Sequence, residues 1–414
     1  MDRRRSPTVA AIDQTLSHDA PTGALAGSYD AAFAGAVEAF TTNFERHGEV
    51  GASLTVIHEG RTVVDVWGGS ADPQTATPWE SDTVSVVYSC TKGATALCAH
   101  VLADRGRLDL DGPVAEVWPE FAAGAEGAKA DATVRMMLDH SVGVPVFREP
   151  LGPGEVYDWD RMVARLEAEP PFWDPGIRNG YHMINFGWTV GELVRRASGS
   201  SLGAFFAEAI ADPLGIDFWI GLPEAVEPRV APMIPYARSK GEPLSDFELA
   251  VVGDRRSISS LSLSNLANFD PNSRAAHAAE IGGGGGISNG RGLAGMYRPL
   301  SLGGDGLVSS GAVDRMRRVS TATNRDATLC IPTRFALGFM VSMDNRRVPG
   351  ADSVVLGEHA FGHVGAGGSI GFADPAHGLA VGYSMNRMGP GILLNERGQS
   401  IVDAIYAAVG HPGL

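Results

Sequence analysis

Apolar residues recur along this chain with two different periods, and the places where the period changes indicate where predicted helices and strands begin and end. In "SYDAAFAGAVEAFTTNFERHG" apolar side chains lie three or four positions apart, at Phe33, Val37 and Phe40, which predicts an amphipathic helix. The following "GASLTVIHEGRTVVDVWGG" consists of two β-rich runs with Glu59 and Gly60 between them. This segment predicts a β-hairpin with a short turn.

A strand pattern is followed by a helix pattern near residue 89. "TVSVVYS" is rich in β-branched residues, and "CTKGATALCAHVLADRG" carries an apolar helical stripe that ends at Gly106. Residues 109–290 are mostly helical segments and loops, and strand patterns return in "FALGFMVSMD", "GHVGAGGSIGFADP" and "LAVGYSMNRM" before a last helix. The pattern predicts an α/β domain from residues 28–108 and 291–414, a helical domain over 109–290 and a flexible extension over 1–27.

The composition of the 414 residues narrows the class of protein. A chain of this length usually forms two domains, and no apolar run is long enough to span a bilayer. A net charge of −15 without a basic stripe disfavours nucleic acid and anionic membranes as partners. Three cysteines and no Cys/His cluster predict no metal site, and we expect no cofactor. The basic start lacks an apolar signal region, so we expect a cytoplasmic location.

Ser89 and Lys92 are the first candidates for chemistry. Lysine occurs only at positions 92, 129 and 240, and the rest of the 33 basic residues are arginine. Residues three apart on a helix share a face, so the Lys92 amine can reach the Ser89 hydroxyl, and the first-turn N–H of Ser89 can help bind an oxyanion. Alternatively, Ser89 caps the helix and Lys92 is solvated. The residues alone leave both interpretations open.

Two other serines lie in the Gly-x-Ser-x-Gly pattern of a nucleophile elbow, Ser288 in "GISNG" and Ser369 in "GGSIG". An elbow needs a strand before the serine and a helix after it. Ser288 follows "AAEIGGGGG", which predicts no strand, and Ser369 precedes another strand pattern, so both are interpreted as glycine loops. The glycine run 282–286 lacks the Gly-Lys-Ser/Thr ending of a phosphate loop, so nucleotide binding is not expected.

Several ordered segments resemble the serine β-lactamase and penicillin-binding-protein superfamily: "SCTKGATALCAHVLADRGRLDLDGPVAEVWPEF", "TVRMMLDHSVGVP", "PGIRNGYHMINFGW" and "FGHVGAGGSIGFADP". The chain is most similar to the class C β-lactamase-like carboxylesterases, known as family VIII esterases. The resemblance implies an α+β, class C β-lactamase-like fold. Such a fold has an antiparallel sheet flanked by helices, built from both chain ends, and an inserted, mostly helical domain.

The resemblance also implies roles for single residues. Ser89 matches the nucleophile, Lys92 its lysine partner, and Tyr181 in "NGYHMI" the tyrosine of the family's Tyr-x-Asn motif. His363 and Gly365, in "HVG", stand where penicillin-recognising members have Lys-Thr-Gly beside the substrate. Ala366 and Ser89 would then supply the two N–H groups of an oxyanion hole.

Two departures from the β-lactamase pattern concern the choice of substrate. Met183 stands where Tyr-x-Asn has its asparagine, and His363 replaces a cation that would pair with a β-lactam carboxylate. Both changes argue against penicillin recognition, and an imidazole suits uncharged esters better. Trp173 and Phe147 are assigned to a pocket wall, with ordinary core as the alternative. The histidines at 140 and 182 are expected to support the site rather than to react.

The favoured hypothesis is a metal-free serine carboxylesterase that acts on small to medium esters through an acyl-enzyme on Ser89. A buried lysine, unlike an arginine, can be neutral and accept the serine proton. Whether Lys92 or Tyr181 is the base stays open. The alternatives are a β-lactamase or DD-peptidase, an acyltransferase on the same fold, and a non-catalytic binding protein.

Overall fold

The computed structural model describes residues 12–266 and 269–411. Within these ranges, fourteen strands form one large and one small sheet. In chain order the strands are β1 (Gln14–Ala20), β2 (Gly23–Tyr29), β3 (Gly51–His58), β4 (Arg61–Asp72), β5 (Thr77–Pro78), β6 (Ser85–Val86), β7 (Phe218–Trp219), β8 (Ile287–Ser288), β9 (Thr321–Thr323), β10 (Thr333–Phe335), β11 (Met340–Val341), β12 (Phe361–Val364), β13 (Ile370–Asp374) and β14 (Leu379–Met385).

The large sheet has the order β1-β2-β4-β3-β14-β13-β12-β11-β10-β9, with β5 paired to β4, and all its pairings are antiparallel. β3 and β14 lie side by side with Leu54 opposite Tyr383, so strands from the two halves of the chain meet inside the sheet. The small sheet has the order β6-β8-β7. The predicted α+β fold with an antiparallel sheet is confirmed, while the division into domains at residues 108 and 290 stays a prediction.

Fourteen α-helices accompany the sheets in the described part of the chain. They are α1 (Ala34–Arg46), α2 (Cys90–Asp104), α3 (Pro119–Ala123), α4 (Val134–Leu138), α5 (Trp159–Ala168), α6 (Phe186–Ser198), α7 (Leu202–Phe206), α8 (Asp212–Leu214), α9 (Asp246–Gly253), α10 (Ile258–Ser264), α11 (Arg274–Ala278), α12 (Gly290–Ser301), α13 (Ser310–Arg317) and α14 (Glu396–Ala408). Over residues 12–266 and 269–411, none of them combines the length and the apolar character needed to cross a bilayer.

The sequence of β14, "LAVGYSM", explains how both faces of the sheet are covered. Its large residues Leu379, Val381 and Tyr383 belong to the same hydrophobic cluster as α1 and α14. The alternate small residues allow α12 to approach closely, and a Cβ at Gly382 would lie only 2.2 Å from the backbone oxygen of Gly290. A larger residue at Gly382 would therefore push α12 away from the sheet.

The predicted hairpin between β3 and β4 is confirmed. Glu59 and Gly60 form its two-residue turn with φ values of 49° and 78°. Two successive positive φ values are typical of the type I′ turn, whose twist matches that of the flanking strands.

The prediction of a flexible extension over residues 1–27 is wrong for its described part. β1 and β2 form a hairpin around Pro21 and Thr22, and β2 pairs with β4 from Leu25 opposite Gly68 to Tyr29 opposite Val64. The strands were hidden in the sequence because they are only partly buried and use small residues such as Ala24 and Ala26. Residues 1–11 lie outside the described residues.

Candidate active site

Ser89 lies directly before α2, in a constrained turn. The predicted strand before it is only the two-residue β6, and Tyr88, between β6 and Ser89, has a φ of 42°. A positive φ is unfavourable for a residue with a Cβ and is often found at functional sites. The Ser89 side chain makes no capping bond to α2 in the described structure. The turn therefore presents the hydroxyl to other groups instead of the helix.

Lys92 is fully buried, with 0% of its surface exposed. Its Nζ donates to Ser89 Oγ at 3.0 Å, to Met183 O at 2.6 Å and to Gly283 O at 2.5 Å. No carboxylate among residues 12–266 and 269–411 lies within ion-pair distance of this amine. Burial lowers the pKa of Lys92 well below its usual value. The interpretation of Lys92 as a solvated first-turn residue is therefore wrong.

The glycine run 282–286 provides one acceptor of the lysine and fits tightly against α6. A Cβ on Gly283 would lie 2.4 Å from the backbone oxygen of Ile184, and one on Gly187 would lie 2.3 Å from the nitrogen of Gly283. Glycine is thus required for the close approach that brings the Gly283 carbonyl to Lys92. The sequence analysis missed this role, although the glycine run was its visible signal.

Tyr181 lies beside the Ser89–Lys92 pair. Its ring centroid is 4.7 Å from the Lys92 Nζ, and its phenol interacts with the Ser89 side chain. Burial raises the pKa of Tyr181, and the hydrogen bond with Ser89 opposes that rise only partly. The Tyr181 N–H donates to both carboxylate oxygens of Asp326, at 3.0 and 3.1 Å, and its ring stacks on Phe335. Asp326 and Phe335 hold the tyrosine in place, and the sequence analysis missed both.

Three buried imidazoles surround Tyr181. His140 Nδ1 accepts the backbone N–H of His182, and its ring centroid lies 4.9 Å from that of Tyr181. His182 Nδ1 bonds to Gly180 O at 2.7 Å, and His363 Nδ1 bonds to Val364 O at 2.8 Å. Burial lowers the pKa of His182 and of His363 to about 3. Burial also lowers the pKa of His140 well below its usual value, so the three rings are neutral at neutral pH and His363 supplies no cation to the site.

The loop that follows β12 is held by the N-terminal end of α14. The Gly367 carbonyl accepts from Gly389 N at 2.9 Å, from Asn395 Nδ2 at 2.7 Å and from Arg397 Nη2 at 3.3 Å. Arg397 is itself paired with the buried Glu49, with an Nη1 to Oε1 distance of 2.7 Å. These bonds fix the peptides on the C-terminal side of Ala366, which is the candidate oxyanion donor.

The same loop contacts the turn that carries Ser89. Ser369 Oγ donates to Val87 O at 3.2 Å, and a Cβ on Gly365 would lie 2.3 Å from that same oxygen. Cys90 Sγ reaches His363 O at 3.2 Å. The structure thus brings β12 and its loop against the first turn of α2, and the roles of His363, Gly365 and Ala366 toward a substrate stay predictions.

The two residues predicted to form a pocket wall, Trp173 and Phe147, have different surroundings. Trp173 is 8% exposed, and its ring stands edge-on to His182 with centroids 6.5 Å apart. Phe147 is 1% exposed and packs in the core of the helical segments, with the Arg165 guanidinium 5.3 Å from its ring. These positions favour a place beside the site for Trp173 and ordinary core for Phe147, and the pocket-wall role of both stays a prediction.

Ser288 differs from its predicted setting. It ends the short strand β8 and is followed by Asn289 and α12, so a strand does precede it. However, Ser288 is 0% exposed, and its hydroxyl donates to Asp217 O at 2.8 Å. A hydroxyl enclosed in this way cannot meet a substrate, which agrees with its interpretation as structural.

Comparison with known proteins places this geometry in a family. The model of the family described as Beta-lactamase matches residues 31–404. The chain belongs to the beta-lactamase family. The match covers both the Ser89–Lys92 segment and the loop after β12, so the resemblance predicted from the sequence is confirmed.

Relatives within the beta-lactamase family include named esterases. The chain is 35% identical to esterase/beta-lactamase LipL of Mycobacterium tuberculosis over 387 residues, which cover 90% of this chain and 86% of LipL. The crystal structure of a family VIII carboxylesterase superposes with a TM-score of 0.80 at 37% identity, covering 93% of this chain and 99% of that one. A penicillin-binding protein homologue from Caulobacter crescentus superposes with the same TM-score at 32% identity, over the same shares of the two chains.

Proposed function

We propose that the protein is a serine carboxylesterase that hydrolyses small to medium carboxylic esters through an acyl-enzyme on Ser89. The observation that carries the proposal is a buried, uncompensated lysine with its Nζ 3.0 Å from the Ser89 hydroxyl. A neutral amine at this distance is a general base for the serine. The esterase and carboxylesterase names of the relatives support the same class of reaction.

In the proposed acylation step, Lys92 takes the proton of Ser89 while Oγ attacks the ester carbonyl. The N–H groups of Ser89 and Ala366 bind the oxyanion that develops on the carbonyl oxygen. Tyr181 then delivers a proton to the leaving alkoxide, and Lys92 returns its proton through the same network. The raised pKa of Tyr181 favours the phenol as the acid and therefore Lys92 as the base.

In the proposed deacylation step, water replaces the alcohol. Lys92 and Tyr181, which titrate as a coupled pair, take a proton from the water as it attacks the acyl carbonyl. The tetrahedral intermediate then collapses and releases the carboxylic acid, and Ser89 recovers its proton. The neutral His363 beside Tyr181 matches an uncharged acyl group better than a carboxylate.

The second candidate is hydrolysis of β-lactams, which the name of LipL and the penicillin-binding protein homologue favour. A β-lactamase or DD-peptidase must hold a carboxylate, and the position that would do so carries His363. Acyl transfer to an alcohol instead of water would use the same acyl-enzyme. A non-catalytic binding protein is disfavoured because it would not need a buried lysine against a serine.

The test uses p-nitrophenyl esters from acetate to palmitate and a chromogenic cephalosporin. Wild-type protein should hydrolyse the short and medium esters and react poorly with the cephalosporin. Ser89→Ala should abolish hydrolysis and labelling by a fluorophosphonate, whereas Ser288→Ala should keep both. A moderate loss in Ser369→Ala fits the proposal, because Ser369 joins the loop after β12 to Val87. Equal turnover of the cephalosporin and the butyrate ester would replace the proposal by the β-lactamase.

A further inference from the structure

A groove of about 770 Å³ lies at the end of the large sheet where β4 ends and β3 begins. Its lining comes from the turn between β1 and β2, the end of β4, β5, and the residues Ile234, Pro235, Ala237 and Arg387. This volume is within the range of small-molecule sites in proteins. Ser89, Lys92 and Tyr181 are not part of the lining, so the groove is distinct from the candidate active site.

The walls of the groove are aromatic and contain unused hydrogen-bonding groups. Trp67 and Trp79 both line it, and Trp79 is 3% exposed. Trp79 Nε1 and Thr22 Oγ1 are buried without a hydrogen-bond partner in the described part of the chain. Both atoms have almost no exposed surface, so they lie behind the lining of the groove and not on its surface.

Arg387 gives the groove a positive charge. It lies two residues after β14, is half-buried, and forms no ion pair within 4 Å with any carboxylate of residues 12–266 or 269–411. Glu80 also lines the groove, but it is exposed and lies beyond ion-pair distance of Arg387. Its charge acts on the buried Glu49 without direct contact, so in a chain of net charge −15 this partly buried guanidinium is a selective position for an anion.

The groove and the candidate active site share one wall. The sulfur atom of Met388, the residue after Arg387, accepts from the Tyr88 hydroxyl at 3.6 Å. The Met388 N–H donates to Ile234 O at 2.9 Å. The next residue, Gly389, donates to Gly367 in the loop after β12. Residues 387–389 thus lie between the groove, which Arg387 lines, and the turn that carries Ser89.

We propose that this groove is an accessory binding site for a small organic carboxylate with an aromatic or branched apolar body. The Arg387 guanidinium binds the carboxylate, and the exposed part of Trp67 with the apolar lining around it binds the apolar body. The proposal does not depend on the proposed esterase activity.

The test measures binding of 3-phenylpropionate by isothermal titration calorimetry to full-length protein carrying Ser89→Ala, which is unable to turn over esters. Adding Arg387→Met should weaken binding by about tenfold or more, since it removes a charge-assisted contact. Arg318→Met is the matched control, because Arg318 is exposed and lies outside the groove, and it should leave binding unchanged. The uncharged 3-phenylpropionamide should bind about tenfold more weakly than the acid.

Several results would overturn the proposal. These are the absence of measurable binding, equal binding of the acid and the amide, and equal binding with and without Arg387→Met. Loss of binding after a fluorophosphonate occupies Ser89 in wild-type protein would assign the ligand to the active site instead. Tryptophan fluorescence gives a second readout, because the ligand should quench emission less in Trp79→Phe than in Trp118→Phe, whose tryptophan lies outside the groove.

Discussion

Lys92 and Lys129 are both completely buried, and each amine contacts three oxygen acceptors and the face of one aromatic ring. Lys129 Nζ donates to the carbonyls of Leu166, Glu167 and Glu169 at 2.6, 2.8 and 3.1 Å, with the Phe121 centroid 4.3 Å away. Lys92 has the same arrangement over Tyr181, but one of its acceptors is a hydroxyl. Neither side chain has exposed surface, but the two sites differ in the groups that surround the amine.

The difference lies in the nearby charges. The carboxylates of Glu167 and Glu169 partly oppose the effect of burial at Lys129, whose pKa falls to about 8. At Lys92, burial is opposed only by the weak influence of the Cys90 thiol. Lys129 ties down the C-terminal end of α5 with three carbonyls, whereas Lys92 faces a group that can exchange a proton. Burial alone does not make a lysine a base; the absent counterion and the hydroxyl do.

The largest expected difference between the two lysines appears when each is replaced by arginine in a separate variant. Lys92→Arg should lower kcat/KM for p-nitrophenyl butyrate by about 10²–10⁴-fold, because a guanidinium cannot accept the Ser89 proton. Lys129→Arg should keep kcat/KM per folded molecule within about twofold, whatever its effect on stability. Steady-state kinetics with circular dichroism melting separate the two effects. Similar losses of activity in both variants would contradict the assigned roles.

The aromatic ring that contacts the Lys92 amine, that of Tyr181, gives the next test. Tyr181→Phe keeps a ring under Lys92 and removes only the hydroxyl, and we expect kcat to fall by about 100-fold with little change in KM. Tyr297→Phe is the matched control, because the Tyr297 hydroxyl is buried without a hydrogen-bond partner among the described residues. If Tyr181→Phe were as active as Tyr297→Phe, the ring and not the phenol would be the contribution of Tyr181.

The next test adds a cation close to Lys92, where no carboxylate of the described residues lies within ion-pair distance. His363→Lys should shift relative kcat/KM from neutral esters toward esters with a carboxylate on the acyl group by about fivefold, which corresponds to about 1 kcal/mol. His359→Lys adds the same charge at an exposed position and should leave the ratio unchanged. The measurement compares p-nitrophenyl butyrate with a monoester of succinate. An unchanged ratio would show that His363 does not face the acyl group.

The smallest effect concerns the pH dependence of stability at Lys129. Burial lowers its pKa to about 8, below the unfolded value of about 10.4. Between these values the unfolded chain binds more protons, so the free energy of unfolding should rise with pH. Relative to Lys129→Met, the wild-type protein should gain about 1 kcal/mol between pH 8 and 9.5 in urea titrations. A constant difference between the two proteins over this range would mean that Lys129 keeps an ordinary pKa.

The candidate site was predictable where side-chain chemistry leaves a local signature. Ser89 and Lys92 share one helix turn, and Tyr181 and His363 lie in motifs that resemble those of a family. The Met183 and Gly283 carbonyls were not predictable, because any residue has a backbone oxygen and only the fold brings these two to Lys92. The pair of Glu49 and Arg397 was equally hidden, since its members come from opposite ends of the chain.

The fold was predictable where the hydrophobic period is strong. The β3–β4 hairpin was found from two β-rich runs around a short turn, and α2 from the helical spacing of its apolar residues, although almost all of β3 and α2 is buried. β1 and β2 were missed because partly exposed strands of small residues resemble an irregular segment. Their order comes from pairing with the edge of β4, which is a tertiary contact and leaves no mark in the local sequence.

The pairing of β3 with β14 determines when this protein can mature during its biosynthesis. β3 and α2 are translated early, whereas β14, which pairs with β3, and β12, which packs against α2, are translated much later. Contacts between such distant segments form slowly, because a long loop must close before they are made. The nascent chain therefore carries Ser89 and Lys92 for most of its synthesis without the strands that face them. The site around Ser89 is therefore complete only when β12 and β14 have joined the segments translated before them.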